Sequence, residues 1–597
     1  MLGSSKKQPR LGQWDGRRHS TRHGAPLLAR LTQPHVLLRL LPVLVTVLLA
    51  TLLVYSSGPP LPYRYGEVCE RDIRSRLFFE VVDEAQTELR REKAVDDLPA
   101  ERREDPAACE AARQDVPPVM RPYPLGSPLV QRGQPIRREQ LTLLDEEHRA
   151  FRRSRDHLDH LARGGALFLI HGLLASLVVL YVVRFQKGLA QSLSKIAGVC
   201  ILVLLTFALA IVMSRSPWYA VLIPLTVTAL VLTIVYNPPF ALLLSLTLSL
   251  ATTVALGGNL HNLLVQMAGL ATAVLSLRGL RTRTRLVKVG LGAGVVYLLM
   301  TVGTGILAEQ MWWFVAFDAV RALVWGTLAG FLVSGCLPLV ERCFSIVTDI
   351  TLLELADGSH PLQQELIRRA PGTYTHSMTV ATLAEPAAEA IGADPLLTRV
   401  GAYFHDVGKM LKPDYFVENQ SGENRHEGLE PALSTLVIIG HVKDGLALAE
   451  QYRLPRPIID FIQQHHGTTL VEYFYREALR LQESQGNGHV ELEPAFRYPG
   501  PKPGNRENGI VMLADAVESS SRALTDPTPG SLRKLVHDLL MKRLLDGQFD
   551  ESGLTLTELH VVEETLSKGL IALYHSRIKY PEAKERGPAL LRERETA

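Results

Sequence analysis

The sequence predicts an all-α protein that consists of a polytopic membrane helix bundle and a separate all-helical domain. Eight apolar runs of about 20 residues lie before position 336, and each is long enough to cross ~30 Å of hydrocarbon as a helix. Residues 350–580 instead show the 3.6-residue apolar spacing of amphipathic helices, and strand-like alternation is scarce there. A chain of 597 residues also exceeds one ordinary domain, which agrees with this division.

The N-terminal segment, residues 1–35, carries seven basic residues and a single acid, Asp15. This composition is typical of a cytoplasmic basic tail ahead of a span, and a disordered nucleic-acid-binding arm is the alternative. Residues 36–56 form the first predicted span. Because their apolar stretch is longer than that of a cleaved signal peptide, we expect a retained anchor.

Residues 57–163 are polar and turn-rich, and we expect them to form an extracytoplasmic region. Stretches 74–95 and 138–162 have the pattern of amphipathic helices, but the middle holds too few apolar residues for a large core. In an oxidising compartment Cys69 and Cys109 could pair, and two free thiols are an equal alternative.

Residues 164–335 are predicted to form a seven-span module. The runs are about 165–184, 194–213, 217–236, 238–257, 260–277, 286–307 and 312–334.

The charge of the loops gives the orientation of these spans. The loop at 278–288 holds five basic residues, whereas the loops predicted on the other face hold one between them. Basic loops stay in the cytoplasm, so eight spans place both the N-terminus and the C-terminal domain on that side. Asp318 and Arg321 lie one helical turn apart in the last run, and we expect them to neutralise each other inside the bundle; a signalling role is the alternative.

A connector at 336–357 leads to a helical domain at 358–580, and a charged, disordered tail is predicted at 581–597. Histidines and carboxylates of this domain lie on apolar helices or at helix ends. Imidazole nitrogens and carboxylate oxygens suit iron, manganese and zinc rather than calcium. The candidate ligands are His376, His405, Asp406, His441, His465, His466 and Asp515.

The order H…HD…H…HH…D resembles the HD superfamily of metal-dependent phosphohydrolases. The stretches "PGTYTHSMTVATLAE", "YFHDVGKM", "QQHHGTTLVEYFY" and "LADAVESSSRALTDPTPG" further resemble the membrane-anchored HD phosphodiesterases of the PgpH type, which hydrolyse cyclic di-AMP. In that layout residues 57–163 would be a shortened HDED-type sensor. The Gly-Tyr-Pro motif of HD-GYP enzymes, which cleave cyclic di-GMP, is missing after the paired histidines.

This resemblance implies two divalent transition metals, manganese or iron, bridged by Asp406 and activating a water for attack on phosphorus. One metal would be held by His376, His405, Asp406 and Asp515, and the other by Asp406, His441, His465 and His466. Lys409 would contact the phosphate oxygens and stabilise developing charge, and Thr468 and Tyr473 would line the nucleotide pocket. Asp406 and Lys409 are therefore the predicted catalytic residues.

The expected function is hydrolysis of cyclic di-AMP to linear pApA at the membrane under control of an extracytoplasmic ligand or protein. The alternatives are a receptor or transporter whose HD domain binds nucleotide without turnover, and a hydrolase of another phosphoester such as cyclic di-GMP. A constitutively active tethered enzyme also stays open. The expected partners are the cyclic dinucleotide and the lipid bilayer, without a nucleic-acid polymer; the oligomeric state is open, a homodimer included.

Overall fold

The structure, a computed structural model, describes residues 34–58, 61–215, 217–277, 279–420, 422, 424–484, 492–525 and 527–575. The predicted tail at 581–597 and residues 1–33 of the predicted basic tail lie outside the described residues. Within the described part the chain is almost entirely helical, which confirms the predicted all-α class. It divides into a membrane unit, residues 1–276 with 287–333, and a C-terminal unit, residues 277–286 with 334–597.

A long first helix, α1 (Pro34–Ser57), precedes a small extramembrane fold. The elements of this fold are β1 (Ile73–Arg74), β2 (Phe79–Val82), α2 (Glu84–Asp96), α3 (Ala100–Arg103), α4 (Pro106–Gln114), β3 (Met120–Tyr123), β4 (Pro128–Val130) and α5 (Arg138–Arg153). Strand β1 pairs with β4 and β2 pairs with β3, both antiparallel. Its core is small, as the sequence predicted: the buried side chains are those of Cys69, Phe79, Leu129, Val130, Ile136 and Leu144.

Two helical predictions in this fold need correction. Stretch 74–95 is not one helix, because β1 and β2 occupy its first part and α2 starts only at Glu84, where the Asp83 carboxylate accepts from Gln86 N–H. Stretch 138–162 is interrupted after Arg153, since the Asp156 side chain accepts from His157 N–H and starts a new helix there. Both boundaries are set by capping aspartates.

The membrane helices follow the predicted runs. They are α6 (His157–Phe185), the short α7 (Lys187–Gln191), α8 (Leu193–Met213), α9 (Leu222–Val235), α10 (Pro238–Ala255), α11 (Leu260–Ser276), α12 (Arg283–Leu307) and α13 (Trp312–Phe344).

Six of the eight predicted spans, namely α1, α6, α8, α10, α12 and α13, are long and apolar enough to cross a membrane. The other two, α9 and α11, are apolar but only 14 and 17 residues long, shorter than the sequence predicted. A seventh described helix of sufficient length and hydropathy, Pro431–Gln451, belongs to the C-terminal unit and carries a predicted metal ligand, so we do not count it as a span. The protein is therefore a multi-pass membrane protein.

Helices α12 and α13 pack closely because glycines face each other. A Cβ added at Gly326 would lie 2.6 Å from the Gly294 Cα, and one added at Gly290 would lie 2.7 Å from the Gly330 Cα. Small residues of this kind let membrane helices approach backbone to backbone. The fully buried Tyr297 fills the adjoining interior, where its hydroxyl is 2.7 Å from the Thr226 hydroxyl.

The charged pair predicted in the last span is present. An Arg321 Nη lies 2.5 Å from Asp318 Oδ1, and both side chains are largely buried. A partner that the sequence did not indicate, Arg64 of the extramembrane fold, lies 3.4 Å from Asp318 Oδ2. The sequence left open whether Cys69 and Cys109 pair. Cys69 is buried, Cys109 is partly exposed, and both are free thiols.

The C-terminal unit is built from helices alone over its described residues, apart from one isolated β-bridge. Its helices are α14 (Asp349–Ala356), α15 (Pro361–Arg369), α16 (Pro371–Ala390), α17 (Pro395–Phe404), α18 (Pro431–Gln451), α19 (Arg456–Gln464), α20 (Glu472–Ser484), α21 (Arg506–Ser521), α22 (Pro529–Leu545) and α23 (Leu556–His575). Two hydrophobic cores form between them, one around Val511 and Val536 and one around Leu362 and Phe404.

Candidate metal centre

Five helices of the C-terminal unit bring the predicted ligands to one buried point. His376 lies within α16, His441 within α18 and Asp515 within α21. The others follow helix ends: His405 and Asp406 come directly after α17, and His465 and His466 come directly after α19. Residues that follow a helix end need not keep the helical backbone angles. Two consecutive residues there can therefore both point at the same centre.

A glycine lets the His405–Asp406 turn approach α18. A Cβ at Gly408 would overlap the backbone oxygen of His441, so only a glycine fits this position. This close approach places Asp406 beside the imidazole of His441, and only 1% of Asp406 is exposed.

The Asp406 carboxylate stands between two pairs of imidazoles. Its Oδ2 lies 3.4 Å from His376 Nε2 and 3.2 Å from His405 Nε2. Its Oδ1 lies 3.3 Å from His441 Nε2 and 3.5 Å from His465 Nε2. Each carboxylate oxygen therefore faces its own pair of nitrogens.

Asp515 and His466 complete the two groups of donors. Asp515 Oδ1 lies 3.0 Å from His376 Nε2, and Asp515 Oδ2 lies 3.7 Å from His466 Nδ1. Two sets of donor atoms result, each within the span of a single metal ion: His376, His405, Asp406 and Asp515 form one, and Asp406, His441, His465 and His466 form the other.

Hydrogen bonds on the outer side fix the orientation of four imidazoles. Nδ1 of His405 donates to Ala402 O at 2.7 Å, Nδ1 of His441 to Ile438 O at 2.6 Å, and Nδ1 of His465 to Phe461 O at 3.0 Å. Nδ1 of His376 lies 2.5 Å from Glu518 Oε2. With the proton on Nδ1, each Nε2 presents a lone pair to the centre, as metal-binding histidines do.

The inner atoms lack partners that would suit a site without a cation. His376 Nε2, His405 Nε2 and Asp406 Oδ1 are buried and form no hydrogen bond with any described residue, whereas Asp406 Oδ2 contacts the Lys409 ammonium at 2.7 Å. His441 Nε2 and His465 Nε2 lie 3.3 Å apart, although both present lone pairs. Buried polar atoms are normally satisfied, so this donor set fits divalent metals.

Burial and nearby charges hold two imidazoles and both carboxylates of the centre in their metal-binding protonation states. Burial would lower the pKa of His376, but Asp406, Asp515 and Glu518 outweigh it and raise that pKa. Burial lowers the pKa of His441 to about 3 and the pKa of His466 well below its ordinary value, so both are neutral near pH 7. Burial opposes ionisation of Asp406, but Lys409 and His405 outweigh it and hold the pKa of that carboxyl well below its usual range. Burial likewise opposes ionisation of Asp515, and His376 and His466 lower its pKa.

Lys409 lies beside the centre, as predicted, one turn after Asp406. Its Nζ is 2.7 Å from Asp406 Oδ2 and 3.0 Å from Glu418 Oε1. Glu418 also accepts a hydrogen bond from Thr373 Oγ1, which holds the carboxylate in place. Burial would lower the pKa of Lys409, but Asp406 and Glu418 raise it, so the amine stays a cation.

The two predicted pocket residues have different surroundings. Thr468 lies two residues after the paired histidines, and its N–H and hydroxyl are both bonded to the Gln548 amide, at 3.0 and 2.9 Å. Tyr473 is 72% exposed on α20 and its ring contacts Phe474. The structure does not bring Tyr473 to the cluster, and the nucleotide-binding role of both residues stays a prediction.

Sequence reasoning missed three residues of the site. Glu518 orients His376, Glu418 orients Lys409, and the buried Tyr498 packs its ring 4.3 Å from the His466 ring. Only Glu518 has a readable signal, since it follows Asp515 by three positions and therefore lies on the same face of α21. Glu418 and Tyr498 lie outside regular α-helices, where no periodic pattern predicts a direction.

Comparisons with known proteins agree with this architecture. The family described as "7TM receptor with intracellular HD hydrolase" matches residues 161–348, and the HD domain family matches residues 373–520. The chain is 32% identical to the cyclic-di-AMP phosphodiesterase PgpH of Bacillus subtilis over 505 residues, which covers 81% of this chain and 68% of the relative.

Two further similarities concern Listeria monocytogenes. Its cyclic-di-AMP phosphodiesterase PgpH is 33% identical over 530 residues, covering 85% of this chain and 68% of the relative. A crystal structure of the HD domain of that PgpH in complex with cyclic di-AMP is 43% identical and covers 37% of this chain and all of that one, with a TM-score of 0.34. The resemblance expected from the sequence is confirmed by the two full-length relatives, and the chain belongs to the PgpH-type family of membrane proteins that carry an HD hydrolase domain.

Proposed function

We propose that this chain is a membrane-bound, metal-dependent phosphodiesterase that hydrolyses cyclic di-AMP to linear pApA. The observation that carries the proposal is the Asp406 carboxylate, each oxygen of which faces a separate pair of imidazoles. The substrate is inferred from the two PgpH relatives, which are named for it. Hydrolysis opens the ring once: the oxygen of water bonds to phosphorus, and the 3′ oxygen leaves with a proton.

The proposed ligands are those of the two donor sets, with Asp406 shared. Manganese or iron suits these nitrogen and oxygen donors, and a bound pair would activate water and offset charge on the phosphate. Asp406 fixes the spacing of the two positions, and the backbone carbonyls behind His405, His441 and His465 hold the imidazoles in the orientation that leaves Nε2 free.

Lys409 is proposed to stabilise the charge that develops on the phosphate oxygens. Its amine is kept charged by Asp406 and Glu418 and lies 2.7 Å from Asp406, so a phosphate placed at the centre comes within its reach. Glu418 holds this cation from the other side, which keeps it in place before substrate arrives. A preorganised cation of this kind needs no rearrangement during the reaction.

The C-terminal unit is proposed to lie in the cytoplasm and residues 57–163 to lie outside it. The proposed domain limits are the ones predicted from the sequence. Arg283, which was predicted in the basic loop at 278–288 and begins α12, pairs with Glu354 of α14 at 3.3 Å, so this end of α12 and the connector lie on one side. The basic charge of the loop assigns that side to the cytoplasm. Residues of the extramembrane fold instead reach the loops predicted outside: Gln310 bonds to the Val68 backbone at 2.8 and 3.0 Å.

The alternative of a nucleotide binder without turnover is disfavoured, since all seven donors are present and converge. Cyclic di-GMP is disfavoured by the missing Gly-Tyr-Pro motif.

The test is a substrate panel on the detergent-purified full chain with Mn²⁺, using cyclic di-AMP, cyclic di-GMP and pApA, with metal content measured on the same sample. We expect pApA to form from cyclic di-AMP in preference to any product of the other two. Binding of cyclic di-AMP without any product would overturn the enzymatic proposal. Faster cleavage of cyclic di-GMP would overturn the substrate assignment alone.

A further inference from the structure

A cavity of about 1290 Å³ lies within the membrane unit, far in sequence from the metal centre. Its wall is formed by the extramembrane fold on one side and by the ends of α8, α11, α12 and α13 on the other. This volume exceeds the ~300–1,000 Å³ of most small-molecule sites, so it can hold an organic molecule and ordered water together.

The charges of the cavity wall are unbalanced. Four carboxylates, those of Glu67, Glu70, Asp145 and Asp318, are among the described lining residues. The same wall carries six arginines, namely Arg64, Arg71, Arg149, Arg152, Arg215 and Arg321. The wall therefore has an excess of two positive charges, and an anion is the complementary ligand.

Two guanidinium groups of this wall share one carboxylate. Arg64 and Arg321 both pair with Asp318, at 3.4 and 2.5 Å, and both lie over the ring of Tyr219, at 4.4 and 5.0 Å from its centroid. Glu67 is the next carboxylate and accepts a hydrogen bond from Arg64 N–H at 2.9 Å. Burial raises the pKa of Glu67, although Arg64 opposes this shift.

Neutral donors are also available along this wall. Trp325 Nε1 is buried, lines the cavity and has no acceptor among the described residues. The carbonyl oxygen of Gln266 is committed to Ser249 at 2.8 Å, so its NH₂ group is the end left for a ligand. Phe314, Val315 and Ala322 add an apolar surface beside these donors.

We propose that this cavity is a binding site for a phosphate monoester of glycerol, either soluble glycerol phosphate or the headgroup of phosphatidic acid. Guanidinium groups bind phosphate oxygens through paired, charge-assisted hydrogen bonds, and a phosphate monoester carries up to the two negative charges that the wall leaves unbalanced. The Trp325 and Gln266 donors suit the remaining oxygens, and the glycerol portion with its substituents contacts the apolar surface.

The site is tested on the full chain in nanodiscs of neutral phosphatidylcholine. In one arm sn-glycerol 3-phosphate is added to the solution, and in the other a quarter of the lipid is replaced by phosphatidic acid. The readouts are the melting temperature of the membrane unit and, for the soluble probe, calorimetric titration. We expect the parent chain to be stabilised in at least one arm, and the arm that responds identifies the source of the phosphate.

Two variants and one control make the result specific. Arg64→Gln removes a guanidinium and Trp325→Phe removes only the indole N–H, so each should weaken the response, Arg64→Gln by about tenfold or more in affinity. Arg113→Gln alters an exposed arginine of α4 away from the cavity and should leave the response unchanged. If neither probe stabilises the parent, or if Trp325→Phe and every folded Arg64→Gln sample respond like the parent, the proposal is overturned.

Discussion

Two buried aspartates of this protein, Asp318 in the last span and Asp406 in the C-terminal unit, have opposite surroundings. Both oxygens of Asp318 are matched by guanidinium groups, from Arg321 and Arg64. Asp406 has the Lys409 ammonium at one oxygen, but the nearest groups on all other sides are the Nε2 atoms of four histidines, and its Oδ1 forms no hydrogen bond with a described residue.

The difference separates a carboxylate that is paired within the protein from one that is arranged to bind something else. A guanidinium is always charged, so Asp318 is neutralised as soon as the helices pack. Neutral imidazoles offer lone pairs rather than protons, and a carboxylate among them is satisfied only by a cation. A buried acid near histidines therefore indicates a metal site only when the inner nitrogens lack hydrogen bonds of their own.

The largest effect is expected for Asp406→Ala. Removal of the shared carboxylate should empty both positions of metal and reduce cyclic di-AMP turnover by more than ~10³-fold, beyond the loss of a single oxyanion donor. Turnover and metal content by elemental analysis are measured on one sample. Asp538→Ala, at an exposed position of α22, is the matched control and should behave like the parent. An Asp406→Ala protein that retains metal and turnover would remove the distinction drawn between the two aspartates.

Lys409→Gln should reduce kcat by about 10²–10³-fold, because the cation proposed to face the phosphate is lost. Metal content should stay near the parent level, since Lys409 is not among the donor sets. Steady-state kinetics with elemental analysis separate this result from a general disruption of the centre. Lys412→Gln, which alters a half-exposed lysine three residues later, should leave kcat unchanged. A fall in metal content that matches the fall in kcat would instead make Lys409 a structural residue.

Glu518→Ala should weaken metal binding by about 10–100-fold, because it removes the carboxylate that orients His376. Titration with Mn²⁺ measures this as a shift in the metal concentration for half-maximal activity, and high metal should restore most of the turnover. Glu389→Ala, on the exposed face of α16, serves as the control. Turnover that high metal fails to restore would show that Glu518 does more than orient its neighbour.

Asp318→Asn should have the smallest effect on the reaction. Metal content and turnover of the detergent-purified chain should remain near the parent values, because Asp318 contacts only the paired arginines and their surroundings. The membrane unit should lose about 3 kcal/mol of stability, since the largely buried Arg321 loses its carboxylate and the partly exposed Arg64 loses the same partner. Thermal unfolding with elemental analysis of the same preparation tests both expectations. Loss of metal in this variant would contradict the view that Asp318 is only paired within the protein.

Much of the architecture was predictable because it depends on local composition. Apolar runs of about 20 residues and basic loops are set by the bilayer, so the α1, α6, α8, α10, α12 and α13 spans were correctly predicted. The strands β1 and β2 were not predicted, because a small extramembrane fold with few apolar residues has weak periodicity. The helix starts near them were missed as well, because they depend on single capping residues such as Asp83 and Asp156.

The candidate metal centre was likewise predictable only in part. The residue types and their order could be read from the chain and matched to a family, and they named all seven donors that now lie together. Glu418 and Tyr498 could not be found, since they reach the site from segments without helical periodicity.

The sequence by itself determined which segments enter the bilayer, which are helical and which side chains can bind a metal, because these properties follow from the chemistry of neighbouring residues. Only the tertiary structure decided that each oxygen of Asp406 faces its own pair of imidazoles, and that Arg64 joins Arg321 at Asp318 across 254 positions. Such contacts join residues distant along the chain, and their distances are fixed by helix packing rather than by any local pattern.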